Sequence, residues 1–277
     1  MTYAGALHHG KQLLLEAGVH DPEDAWYLME HICKIDKGYY YLHCQEQMGD
    51  GAFQEYEQVL EKRMERMPLQ YITGSQEFMG LRFLVTPDVL IPRQDTETLV
   101  EEVLKEIKPG MEALDLCTGS GCIMISLKKR AGVAFSGTAS DISRHALSVA
   151  EENARFHAVD VAFVQSDLFQ GISGEFDLIV SNPPYIPTEV IGTLMPEVMG
   201  FEPLEALDGK EDGLSFYREI LRQAGRHLKP GGQVFFEIGH DQGAQVLSLF
   251  KAHGFVDRKV VKDLAGNDRV ACGKFPG

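Results

Sequence analysis

What the chain lacks narrows its chemistry first. No two of its five cysteines (Cys33, Cys44, Cys117, Cys122 and Cys272) stand at C-x-x-C spacing, which excludes a zinc knuckle and a thioredoxin-type redox motif. Its ten histidines form no H-E-x-x-H or similar set, so no metal is expected. No apolar run is long enough to span a bilayer, and the N-terminus lacks the charged-then-apolar pattern of a signal peptide. A cytoplasmic protein without a membrane partner is the expectation. Basic side chains are scarce: 26 Lys and Arg stand against 41 Asp and Glu, a formal charge of −15. Phosphate contacts need Lys and Arg, so no direct nucleic-acid partner is expected. Residues 1–75 hold 6 basic and 12 acidic side chains and the remainder 20 and 29, so neither part is basic overall. An acidic surface suits a basic protein partner through electrostatic steering.

What is present is enough for a sizeable core: 44% of 277 residues are hydrophobic, which bounds the chain at one large domain or two ordinary ones. Residues 4–17 read as a helix with Gly18 at its C-cap. Asp21-Pro22 read as N-cap and first-turn proline of a second helix, and Asp36 as the start of a third. Residues 52–67 place Phe53, Tyr56, Val59, Leu60 and Met64 on one helical face, and Pro68 ends that helix. Residues 1–73 are thus a helical bundle without a catalytic constellation, read as a recognition module. A β-hairpin follows within a linker over 74–92, with Gly80 near its turn. Arg93 stands at the junction with the last part, 93–277, where Asp95 or Thr96 is placed to cap the next helix. From Pro109 strands and helices alternate: strands near 111–117, 134–141, 161–165, 176–181 and 232–238, with helices over 121–130, 143–157, 213–228 and 242–252. Residues 255–262 and 269–273 read as a closing strand pair. This is an α/β pattern with a mostly parallel sheet, whose ligands bind at the carboxyl ends of the strands.

Four successive strand ends carry chemistry. The first is Asp115-Leu116-Cys117-Thr118-Gly119-Ser120-Gly121, where two glycines let the backbone turn and approach a ligand. The third glycine of a dinucleotide fingerprint is replaced by Met124, which disfavours a nicotinamide enzyme. The second is Asp141, which can accept from both hydroxyls of a ribose, or else cap the following helix, a task Ser143 can also perform. The third is Ser166-Asp167-Leu168-Phe169, where Asp167 can accept from an adenine amine and Leu168 can pack on the ring. The fourth is Ser181-Asn182-Pro183-Pro184-Tyr185. Both prolines fix φ and lack an N–H, and Pro183 pushes Asn182 towards an extended conformation. The turn is stiff and offers carbonyl oxygens, one side-chain amide and one ring to a planar group with N–H donors.

These motifs resemble the class I S-adenosylmethionine-dependent methyltransferases, in which Asn-Pro-Pro-Tyr marks enzymes that methylate a planar nitrogen. The chain resembles one family more closely, the HemK/PrmC peptide chain release factor N5-glutamine methyltransferases. The carriers are Pro68–Gly74, Phe78 through Arg93, Val180–Ile186, residues 201–207 (Phe-Glu-Pro-Leu-Glu-Ala-Leu), residues 236–239 (Phe-Glu-Ile-Gly) and residues 267–270 (Asn-Asp-Arg-Val). The resemblance implies a Rossmann-like fold and a small N-terminal helical bundle that recognises substrate. It also implies transfer of a methyl group from S-adenosylmethionine, leaving S-adenosylhomocysteine. The acceptor is then the glutamine of the Gly-Gly-Gln loop of class I release factors. Cys117, Thr118, Gly119, Ser120, Gly121, Asp141, Asp167, Leu168 and Asn182 would hold the cofactor. Asn182, Pro183, Pro184, Tyr185 and Arg93 would hold the substrate. Asn182 and the Pro183 carbonyl would hold the amide nitrogen, and Tyr185 would pack on it. Cys117 replaces a usual glycine, and Gln94 a common proline. Ribosomal-protein glutamine methylation remains open at this level, and so does methylation of a nucleic-acid exocyclic amine, which the acidic balance disfavours. The chain's own Gly231-Gly232-Gln233 reads as the turn into the fifth strand.

Overall fold

The computed structural model describes residues Met1–Gly277, which divide into two compact units. The first holds Met1–Ser75 together with Met195–Phe201; the second holds Gln76–Leu194 and Glu202–Gly277. No helix is long and apolar enough to cross a membrane.

In the first unit, α1 (Tyr3–Glu16) starts on Thr2, whose hydroxyl accepts from the Gly5 N–H at 3.1 Å. α2 spans Asp24–Cys33 and starts later than Asp21-Pro22 suggests: the Asp21 carboxylate accepts from the Glu23 N–H and closes a turn before the helix. α3 (Lys37–His43) is capped by Asp36, which accepts from the Tyr39 N–H at 2.7 Å. α4 spans Asp50–Met64 and ends before the expected 67, with Arg66 left-handed at φ 73° after it, and Pro68 opens a short α5 (Leu69–Thr73). Leu14, Leu28, Met29, Tyr56 and Leu60 form the core. Beside them lies an ionic network that sequence spacing does not show. Arg63 donates to Asp24 at 2.8 Å and to Glu197, 134 residues away in sequence, at 3.1 Å. Arg66 grips the same Glu197 carboxylate with two nitrogens, at 2.8 and 2.7 Å.

The second unit begins with a hairpin, β1 (Ser75–Phe78) and β2 (Leu81–Leu84). Its turn residues Met79 and Gly80 both have positive φ, at 53° and 65°, as a two-residue turn of the right twist requires. A 3₁₀ turn, Gln94–Thr96, runs into α6 (Glu97–Leu104). Neither Asp95 nor Thr96 caps α6 by its side chain; Asp95 pairs with Arg269 at 3.0 Å instead, and Thr96 is buried. Then come β3 (Glu112–Leu116), α7 (Cys122–Arg130), β4 (Ser136–Asp141), α8 (Arg144–Phe156), β5 (Ala162–Gln165) and β6 (Phe176–Ser181). The connection after β6 carries α9 (Thr188–Ile191), then α10 (Pro196–Phe201), which belongs to the first unit, and a 3₁₀ turn at Leu204–Ala206. α11 (Ser215–Ala224), β7 (Leu228–Glu237), α12 (Gly243–Ala252), β8 (Val256–Lys262) and β9 (Asp268–Lys274) complete the chain. α11 is shorter than its pattern suggests, because β7 already starts at Leu228 and takes in Gly231 and Gly232.

The sheet order is β5-β4-β3-β6-β7-β9-β8, parallel through β7 and antiparallel at β9 and β8. Both faces are covered. Along β6, Leu178 and Val180 pack with Leu99, Ile123 and Leu127, while Ile179 packs with Tyr217, Ile220 and Phe250. That is why β6 reads as a continuous apolar run. Leu116 pairs with Ser140 on one side and Ser181 on the other, and Ser181 pairs with Phe236. One residue further on, Cys117, Asp141, Asn182 and Glu237 therefore form a row across the carboxyl ends of β3, β4, β6 and β7.

The ionic network of the first unit generates a stability prediction. Burial opposes ionisation of Glu197, but its hydrogen bonds to Arg66 and Arg63 outweigh this and hold the carboxyl down at about 2. A depressed acid stabilises the fold above its unfolded value and loses that contribution as pH falls through the folded one. Burial moves Asp24 the other way, despite Arg63. Glu197→Gln is expected to cost roughly 3 kcal/mol in urea unfolding at neutral pH. The gap from the parent protein should narrow as pH falls from 4.5 towards 2.

Candidate active site

A cavity of about 400 Å³ lies at this row, a size that suits a small organic ligand. Its wall includes Cys117, Thr118, Gly119 and Ser120 after β3, Asp141 after β4, and Asp167 and Leu168 after β5. Asn182 and Pro184 after β6 complete it together with Arg93. Three candidates from the sequence, Gly121, Pro183 and Tyr185, are not part of the wall.

Gly121 serves the turn. It has φ 79°, and a Cβ there would lie 2.9 Å from Ile125 of α7 and 3.1 Å from Ala150, so α8 packs close behind the loop only without a side chain. Cys117 sits in the same left-handed region, at φ 59°, which a side chain rarely adopts. Burial pushes its thiol well above the ordinary range, so it is a neutral wall group and not a nucleophile. Beneath the loop, the buried Asp115 carboxylate accepts from the Thr118 hydroxyl at 2.6 Å, and burial pushes its carboxyl up to about 7. The glycine motif contains Asp115, but its spacing gives no sign of this bracing role.

Asp141 braces the loop as well as lining the cavity. One oxygen accepts from the Gly119 N–H and the other from the Ser143 N–H, both at 2.9 Å. The cap of α8 is Ser143, which accepts from the Ala146 N–H at 3.2 Å. Each Asp141 oxygen keeps a further acceptor site. Burial raises this carboxyl, against backbone N–H groups that hold it down. After β5, Leu168 has φ 47°, pinned by the Ser166 hydroxyl, which donates to the Leu168 carbonyl at 2.7 Å and accepts from the Gly171 N–H at 2.8 Å. Asp167 is exposed beside it.

The Asn-Pro-Pro-Tyr turn is held from behind. The Asn182 amide donates to the Thr96 hydroxyl at 3.5 Å. Tyr185 turns away from the cavity: its hydroxyl donates to buried Glu237 at 3.3 Å and its ring packs on the core. The packing on a substrate amide that the sequence suggests for Tyr185 thus has no counterpart in the cavity wall. The Tyr185 carbonyl accepts from Gln242 at 3.0 Å, and a Cβ on Gly213 would overlap that carbonyl. Arg93 is paired with Glu202, whose other oxygen accepts from the Ile91 N–H at 3.2 Å. Asn153, in the last turn of α8, ties the hairpin to the glycine loop through Leu84 and the Ser120 carbonyl. Glu202, Gln242 and Asn153 act across long sequence separations, which no local pattern signals. Gln233 of the internal Gly-Gly-Gln pairs with Leu178 inside the sheet and donates to Glu106 at 3.0 Å, so it is not presented as an acceptor.

Two family models match the chain: the PrmC N-terminal domain over residues 5–74 and the methyltransferase small domain over residues 93–195. The release factor glutamine methyltransferase of Geobacter sulfurreducens is 40% identical over 265 residues, covering 95% of this chain and 93% of the relative. That of Cereibacter sphaeroides is 40% identical over 281 residues, covering 100% and 99%. Among solved structures, a methyltransferase from Pyrococcus furiosus aligns with a TM-score of 0.52 at 23% identity, over 72% of this chain and 90% of its own. The last likeness shows the class I methyltransferase fold.

The strained position in the glycine loop is open to test. Cys117→Gly is expected to fold without loss of stability, whereas the β-branched Cys117→Val should lose about 1–2 kcal/mol. Urea titrations of the two variants and the parent measure the difference.

Proposed function

The chain belongs to the release factor glutamine methyltransferase family, and on that premise we propose how its cavity serves the reaction. The enzyme transfers a methyl group from S-adenosylmethionine to the side-chain amide of a glutamine in a release factor. The residues fit a nucleoside cofactor. Asp141 has acceptor sites left for ribose hydroxyls, Leu168 gives an apolar surface beside Asp167 for a base, and Cys117–Ser120 line the turn at the head of β3. When bound, S-adenosylmethionine supplies a sulfonium methyl group open to displacement by a nucleophile.

An amide nitrogen is a poor nucleophile because its lone pair is delocalised into its carbonyl. The Asn182 side-chain oxygen accepts one N–H of the glutamine amide, and the other is assigned to the Pro183 carbonyl, although Pro183 is buried and outside the cavity wall. They fix the nitrogen and steer lone-pair density towards the methyl carbon. Fixed geometry of this kind is worth at most roughly 7–11 kcal/mol. Pro184 and Arg93 shape the acceptor side. The observation that carries this reading is the placement of Asn182 in the wall of one cavity with Asp141 and the glycine loop. The acceptor is the loop glutamine of Gly-Gly-Gln in class I release factors, a protein partner met in the cytoplasm without nucleic acid or membrane contact. Residues 1–73 recognise it.

Incubation with methyl-labelled cofactor and a purified release factor tests the assignment. Label is expected on the loop glutamine and should vanish when that residue becomes alanine; persistence would overturn the reading. Asn182→Ala is expected to slow turnover by about a hundredfold or more while S-adenosylhomocysteine affinity in calorimetry shifts only a few-fold.

A further inference from the structure

One buried carboxyl that the reaction as described leaves unused is Glu237. It ends β7, in the same row as Asn182 on the adjacent strand, and is 1% exposed. One carboxylate oxygen accepts from the Tyr185 hydroxyl at 3.3 Å. The other is buried without a hydrogen-bond partner, and of the neighbouring groups the Thr96 hydroxyl does most to favour the charged form. An uncompensated carboxylate oxygen in a core is costly, and a similarly shaped apolar side chain would avoid that cost. Its neighbours show what the charge does to them.

A carboxylate only accepts hydrogen bonds. The Thr96 hydroxyl has one proton and two lone pairs, and one lone pair takes the Asn182 amide N–H. Its proton is then free to turn towards Glu237. With the nitrogen of Asn182 held inward, the oxygen of the same amide faces the other way, as an acceptor. Reversal would present N–H groups to the N–H groups of a substrate amide. From this we propose that Glu237 is a positioning residue: acting through the Thr96 hydroxyl it fixes which end of the Asn182 amide meets the substrate, and through Tyr185 it anchors the turn that carries Asn182. The proposal rests on the reading of Asn182 as the amide cradle.

Protonation of Glu237 would remove the constraint, because a carboxylic acid can donate to Thr96 and let the Asn182 amide turn over. Burial pushes this carboxyl up to about 6. Thr96, Arg269 and Tyr185 favour its charged form, and Asp95 opposes it. Cys122, from α7, and Tyr217, whose hydroxyl donates to the Glu237 backbone carbonyl at 2.9 Å, complete its surroundings.

Turnover on a release factor is measured from pH 5 to pH 8 for Glu237→Gln, Thr96→Val, Thr96→Ser and Asn182→Ala, beside S-adenosylhomocysteine affinity by calorimetry. Glu237→Gln and Thr96→Val are expected to lower kcat by about tenfold or more, the size of one lost orienting hydrogen bond to a charged group, with cofactor affinity kept. Thr96→Ser, which keeps the hydroxyl, should recover the rate to within about threefold of the parent. The fall in kcat on the acid side should be present in the parent and absent in Glu237→Gln. Parent-like kcat in Thr96→Val, or an unchanged acid limb in Glu237→Gln, overturns the proposal. If Glu237→Gln does not fold, the contrast between Thr96→Val and Thr96→Ser decides alone. Full turnover by Asn182→Ala would instead overturn the cradle reading and this proposal with it.

Discussion

The register of the parallel strands is the constraint on which the site depends. β3 lies between β4 and β6, and β6 lies beside β7, so one row of residues emerges together at the carboxyl edge. Side chains alternate faces along a strand, and a slip of one residue on any of them would turn its member of the row to the opposite face. The slip is opposed because both faces are filled. Leu178 and Val180 belong to one core and Ile179 to the other, and Val234, Phe235 and Phe236 alternate in the same way. Hydrophobic packing below the edge therefore sets the positions of Cys117, Asp141, Asn182 and Glu237 above it. Parallel strands need crossover helices, which leaves the loops at this edge free to carry polar groups.

Above the row, the residues divide by task. Those in the cavity wall have acceptors or shape to offer a ligand. Those behind it hold the wall still: Asp115 on Thr118, Ser166 on the Leu168 turn, Glu202 on Arg93, Gln242 on the Tyr185 carbonyl. Nearly all are buried polar groups, which persist in a core only when their hydrogen bonds are met. Meeting them over-determines the loop conformations, including the left-handed Cys117 and Leu168. A reaction that depends on orientation needs this second layer as much as the first.

The sequence makes one layer legible and conceals the other. Strands covered on both faces are apolar runs, and helices at regular spacing follow them, so the strand ends and the polar residues on them can be located by pattern alone. Turn chemistry is legible where the residue type is restrictive, as at Met79-Gly80 and Asp36. The supporting layer obeys no such period. Thr96 is placed as a helix cap by its position and instead sits buried beneath Asn182, while Glu197, which no local pattern singles out, binds two arginines of α4 and its end. Tyr185 reads as an exposed ring, and faces inward because an acceptor waits on the next strand. Each misreading has one cause: the partner is distant in sequence, and only the fold brings it near.

Two carboxyls near the cavity, Asp115 and Glu237, are pushed towards neutrality by burial, to about 7 and about 6. Such shifts in a cleft ordinarily suggest an acid or a base. Here neither residue is part of the cavity wall. The group that does meet the acceptor side, Asn182, is an amide that neither gives nor takes a proton in this range. A site that methylates a nitrogen whose lone pair is already delocalised gains little from abstracting its proton early. It gains more from acceptors that hold the N–H groups in place. The shifted carboxyls are then the electrostatic floor beneath a positioning device, and their unusual affinities for protons follow from being buried to keep that device rigid.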